Sequence, residues 1–190
     1  MLGFAPNFKI VHDWSKLIAC ISDVATNFVQ SGKYLDHVIY SSGASVVANI
    51  PGSGWISKSG PSNDFFVLGG IPETEELDEF FKTTFPELTF TPATMCWSSH
   101  NVPRHRDSIK NGQCSLVYPL YYNSGTGTVY GEDQVYTYGT HKDTPVIINI
   151  TKEHEVEITA PRIWFSIHMH EDIEKVKQVF DNLSKYEYTI

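Results

Sequence analysis

The chain has 190 residues, of which 41% are hydrophobic, 13% aromatic and 19% charged, and its formal net charge is −8. That aromatic content excludes a disordered chain, and 22 acids against 14 bases disfavour a nucleic-acid partner held by phosphate neutralisation. Cys20, Cys96 and Cys114 stand far apart with no CxxC pair, which excludes a zinc ribbon or thioredoxin motif and points to reduced thiols in the cytoplasm.

Met1 to Ile10 carry neither a basic stretch nor a long apolar run, so no secretory leader is expected. No apolar run is long enough to span a membrane. After Asp13, a plausible N-cap, the residues Trp14, Leu17, Ile18, Ile21, Val24, Ala25 and Phe28 recur at three- and four-residue steps, which predicts an amphipathic helix ending near Gly32. Residues 34–70 read as strands and turns. Val38 to Tyr40 and Val46 to Ile50 are apolar runs interrupted at Gly43, residues 53–63 form a Gly/Ser-rich loop around Trp55, and Phe65 to Leu68 is a short strand. A second helix is expected over 75–85, capped by Thr74, with Glu75 and Glu76 in its first turn and Pro86 stopping it.

From residue 88 the pattern changes to short β runs separated by turn signals, at 88–97, 113–122, 127–130, 134–138, 145–151, 155–159 and 162–169. Strands at this spacing predict a barrel, sandwich or jelly roll. A last helix over 171–185 carries the stripe Ile173, Val176, Val179, Phe180 and Leu183. The expectation is one α+β domain over 1–190: helical and strand support in 1–90, a β core in 90–170, and the closing helix.

Within the β region, His105-x-Asp107 follows a strand that ends near Trp97. At a strand end, residues two apart point the same way, so an imidazole nitrogen and a carboxylate oxygen can reach one cation. His154 lies 47 residues after Asp107, just past the run from Val146 to Ile150. Two histidines and a carboxylate make a facial metal site with open positions. Arg162 follows eight residues later, sharing one strand face with Trp164, Ser166 and His168, while Ile163, Phe165, Ile167 and Met169 share the other. The second face suits packing under helices. The first suits a cavity lining, where a buried arginine needs an anionic partner.

Plainer readings stand beside these. His105 and Asp107 fit a solvated cluster with Arg104 and Arg106, His154 fits an exposed turn, and Arg162 fits a hairpin pair with Glu157. His168 and His170 form a rival metal pair, also two apart.

Together, His105-x-Asp107, His154 and Arg162 resemble the Fe(II)/2-oxoglutarate-dependent dioxygenases, most closely the prolyl-hydroxylase-like branch and small phage or bacterial oxygenases, over residues 90–170. The resemblance implies a double-stranded β-helix, or jelly roll, flanked by helices. It implies Fe(II) held by His105, Asp107 and His154, and 2-oxoglutarate gripped at its distal carboxylate by Arg162. It assigns Tyr118 to the co-substrate and Ser166 to the support of Arg162. The implied reaction consumes O2, releases succinate and CO2, and hydroxylates a peptide side chain or small molecule. The spacing from His154 to Arg162 is shorter than is common in that family. Two other readings remain: a cupin-type metal enzyme that does not use 2-oxoglutarate, and a non-catalytic β-sandwich binding module. Segments 51–63 and 122–133 are expected lids.

Overall fold

A computed structural model describes residues 1–42, 45–52, 54–59, 64–121, 125–184 and 186–190. The first half contains β1 (Gly3–Phe4), β2 (Lys9–Val11), α1 (Ser15–Asp23), β3 (Val38–Ser42), β4 (Ser45–Asn49), β5 (Trp55–Ser59), β6 (Phe65–Gly69) and α2 (Glu75–Thr84). The second contains β7 (Thr94–Ser98), β8 (Val102–His105), β9 (Cys114–Tyr121), β10 (Gly125–Tyr130), β11 (Val135–Gly139), β12 (Val146–Asn149), β13 (His154–Ile158), β14 (Arg162–Met169), α3 (Ile173–Asp181) and β15 (Glu187–Thr189). The α+β class expected from the sequence is the observed one, and among the described residues no helix is long and apolar enough to cross a membrane.

Nine strands form one sheet in the order β1-β12-β9-β14-β7-β6-β5-β4-β3, and four form a second in the order β11-β10-β13-β8. Every pairing in these two sheets is antiparallel. From β7 to β10, and again from β11 to β14, consecutive strands alternate between the sheets. A third pair, β15 with β2, is parallel.

The period-two alternation of β14 decides which side each residue serves. Ile163, Phe165, Ile167 and Met169 enter the larger core, with Leu17 and Ile21 of α1, Leu77 and Phe81 of α2, and Val176 and Phe180 of α3. Trp164 enters a second core, with Cys96, Val117, Val146 and Ile148 from the large sheet and Val129 from the small one. Helices therefore cover one face of the large sheet, and the small sheet covers the other.

Helix termini follow the sequence with local changes. The first helix continues past α1 as a π-helical segment, Val24–Gln30, and Gly32 ends it with a left-handed φ of 78°, a conformation glycine adopts without penalty. Asp13 accepts a hydrogen bond from the Ser15 amide. Asp172 caps α3 by accepting from the Lys175 amide at 2.9 Å. Thr74 does not cap α2, because its hydroxyl donates backwards to the Ile71 carbonyl.

Two expectations are corrected. The loop expected over 53–63 holds β5, hydrogen-bonded between β4 and β6. Ile56 and Lys58 are both buried on it, so a lysine occupies what would be the second apolar position of the alternation. The rest of that loop, at 53 and 60–63, lies outside the described residues, as do Gly43 and residues 122–124 of the second expected lid. The other correction is β8, which no apolar alternation announces. It contains Pro103 and lies at the edge of the small sheet, where a residue without an N–H is tolerated.

Candidate metal centre

β8 meets β13 at two register pairs, His154 with His105 and Val156 with Val102, with an irregularity between them. Directly opposed residues project to the same face, so the two imidazoles meet there with ring centroids 4.2 Å apart. Beyond β8, the Asp107 amide donates to the Ile150 carbonyl at 3.2 Å, which turns the chain back toward β13. One Asp107 oxygen then lies 3.7 Å from His105 Nε2 and the other 3.6 Å from His154 Nε2. One ligand atom from each of the three residues lies within 4.8 Å of the others, and among the described residues no other group of three or more such side chains is placed this way.

The backbone sets the tautomers. His105 Nδ1 lies 2.8 Å from the Pro103 carbonyl, and His154 Nδ1 lies 3.0 Å from that of Lys152. A carbonyl only accepts, so each Nδ1 carries the proton and each Nε2 keeps a lone pair toward the shared space. His154 is 5% exposed. Burial is the largest influence on its pKa and holds it below the ordinary imidazole value, against the Lys152 carbonyl. It is thus neutral, as ligation requires. The exposed-turn reading of His154 does not hold.

Arg162 starts β14, opposite Ser98 of β7. It is 5% exposed, its guanidinium lies 3.8 Å from the Trp164 ring centre, and its Nε has no hydrogen-bond partner. Glu157 is solvent-exposed on β13, and no ion pair joins the two. Burial pushes the Arg162 pKa down to about 10, so the guanidinium stays charged at neutral pH. Val129, the partner of His154 across the small sheet, lies in the same core as Trp164, which holds the Arg162 guanidinium, so the arginine and the His105, Asp107 and His154 cluster face one interior.

The structure does not bring the other two expected co-substrate residues to Arg162. Tyr118 is fully buried on the helix-covered face, stacked on Phe165 with centroids 4.9 Å apart. Its hydroxyl accepts from the Ile10 amide at 3.0 Å and donates to the Ile10 carbonyl at 3.3 Å. Ser166 does lie on the interior face, but four residues along a strand is roughly 13 Å. Its hydroxyl is 2.7 Å from that of Ser115. His168 also faces inward, whereas His170 is exposed past the strand end, so this pair forms no second metal site among the described residues.

Tyr138 of β11 packs with Tyr136 against the second core. Burial pushes its hydroxyl up to about 12, while the Arg162 charge acts to lower it. Its ring crosses Gly127, its partner across the strands, where a Cβ would come within 2.1 Å of the ring. The sequence signal for this packing was Gly127 opposite an alternating Tyr136 and Tyr138.

No protein-family model and no curated protein matches the chain. Among solved structures it is similar to AviO1 from Streptomyces viridochromogenes Tue57, with a TM-score of 0.55 over 90% of this chain and 91% of that one, at 16% identity. It is similar to EvdMO1 with a TM-score of 0.51 over 90% of this chain and 47% of that one, at 12% identity. This chain thus corresponds to about half of EvdMO1. An oxidoreductase of the 2OG-Fe(II) oxygenase family from Burkholderia pseudomallei matches 58% of this chain and 70% of its own length, at 14% identity and a TM-score of 0.46. At 12–16% identity, what AviO1 and EvdMO1 share with this chain is the fold.

Proposed function

We propose that the chain is a non-haem Fe(II)- and 2-oxoglutarate-dependent oxygenase that hydroxylates a peptide side chain or small molecule, and that it forms one such domain. One observation carries this reading: the His105, Asp107 and His154 cluster shares an interior with a buried guanidinium whose Nε has no partner. The order of the eight strands β7 to β14, as β12-β9-β14-β7 facing β11-β10-β13-β8, supports reading the scaffold as a jelly roll.

The residues fit both groups. Two neutral imidazoles and a carboxylate are the donor set of non-haem Fe(II) sites and leave positions open. A buried arginine with an unsatisfied N–H calls for an anion, and its planar fork matches a carboxylate. Bound there, ferrous iron with 2-oxoglutarate supplies the oxidising chemistry that inserts oxygen from O2 into a C–H bond and releases succinate and CO2. In this reading His105, Asp107 and His154 hold the metal, and the carbonyls of Pro103 and Lys152 fix the imidazole protons away from it. Arg162 binds the distal carboxylate, and Trp164 holds the guanidinium plane.

Anaerobic calorimetric titration of 2-oxoglutarate into Fe(II)-loaded protein tests this. Saturable binding by the wild type, lost in Arg162→Ala with iron retained, is expected. A wild-type protein that holds iron but does not bind 2-oxoglutarate would leave the cupin-type reading in its place.

A further inference from the structure

We propose that Arg104, Tyr130 and Glu155 form a clasp on the outer face of the small sheet that sets the separation of the two histidine ligands. Arg104 and Tyr130 are then positioning residues of the metal centre, an inference that rests on reading His105, Asp107 and His154 as that centre.

β8 is weakly held by its backbone. It is an edge strand with two register pairs to β13, an irregularity between them, and a proline inside it. His105 therefore needs support from side chains. His105 and His154 point inward, so their sequence neighbours Arg104, Glu153 and Glu155 point to the outer face. There the Arg104 guanidinium lies 3.6 Å from the Tyr130 ring centre, and its Nε is 3.5 Å from a Glu153 oxygen. The Tyr130 hydroxyl donates to Glu155, and the Tyr130 amide donates to the Glu153 carbonyl at 2.8 Å.

Strand order makes this arrangement informative. β13 lies between β8 and β10, so Arg104 reaches across a whole strand to find Tyr130. Arg104 and Tyr130 together thus tie β8, β10 and β13 directly behind the pair of ligands. Exposed ion pairs and exposed cation–π contacts stabilise a fold little. Residues that support metal ligands from outside nonetheless set metal affinity, commonly by roughly 10- to 100-fold.

Anaerobic Co(II) titration against a competing chelator tests the clasp, with thermal unfolding of the metal-free protein measured alongside. Arg104→Met should weaken Co(II) about 10-fold with no change in the unfolding temperature. Arg104→Lys, which keeps the charge over the ring, should recover most of that loss. Tyr130→Leu should weaken the metal comparably, and the double variant should be no weaker than either single one, because the two residues act as a unit. Wild-type affinity in Arg104→Met, or a loss of affinity that tracks a lower unfolding temperature and is not rescued by lysine, overturns the clasp. A wild-type protein that binds no Co(II) removes the metal centre itself, and the clasp with it.

Discussion

On the helix-covered face of the large sheet, Phe8, Phe81, Phe85, Tyr118, Phe165 and Phe180 interlock with ring centroids 4.6–6.5 Å apart. The one hydroxyl among them is bonded twice to the backbone of Ile10. On the opposite face, strand β14 presents Arg162, Trp164, Ser166 and His168, and the Arg162 Nε is left without a partner. Both faces come from the same eight residues, separated only by parity along the strand. One parity supplies stability. The other keeps a buried cation, which is costly in a sealed interior.

Substitutions can break or sharpen this contrast. The largest effect is expected for Asp107→Ala. It removes a ligand outright and should lower iron retention by at least about 100-fold, more than losing an outer support costs, as read by metal analysis after anaerobic gel filtration. Acid should reach the same end gradually. Because burial holds His154 below the ordinary imidazole range, its Nε2 stays available until the pH falls through that lowered value. Over the same descent, the unfolded His154 takes up a proton that the folded one refuses, so the metal-free protein loses stability as pH drops below about 6.5. Chelator competition and denaturant melts across a pH series separate the two effects.

Phe165→Ala should destabilise the protein by about 3–5 kcal/mol in denaturant melts, while metal affinity of the folded protein stays unchanged. Arg162→Met should do the reverse. It should cost about 2–5 kcal/mol of 2-oxoglutarate binding and leave the ligand-free protein as stable as before or more so, because a buried cation whose Nε has no partner is removed. Tyr118→Phe is the smallest change. Losing its hydrogen bonds to Ile10 should cost about 1–3 kcal/mol of stability without altering 2-oxoglutarate affinity. A Tyr118→Phe variant that lost co-substrate at unchanged stability would put this tyrosine back in the site.

What could be read from the residues was mostly local. His105-x-Asp107 is a two-residue spacing, and β14 spans Arg162–Met169 as its alternation predicts. The parity argument placed Trp164 and Phe165 on opposite sides, and the two cores bear that out. The misplacements have a common physical source. β9 is buried on both faces from Cys114 to Leu120, so no polar alternation marks which way Tyr118 points. Tyr138 reaches the interior only because Gly127 lies across the strands from it, a pairing between separate segments. Lys58 hides the pattern of β5, and Pro103 hides β8. The His105 to His154 register that brings the candidate metal ligands together spans 49 residues of chain and an irregularity in the ladder. Neither leaves a mark on the sequence around it.

An interior that holds both a metal and 2-oxoglutarate has a spectroscopic signature. An anaerobic electronic spectrum tests both together, with Fe(II) added first and 2-oxoglutarate second. The expected result is a visible metal-to-ligand charge-transfer band that appears only with both present, saturates at one equivalent of each per chain, and is absent in Asp107→Ala. No visible band at saturating iron and 2-oxoglutarate would contradict it.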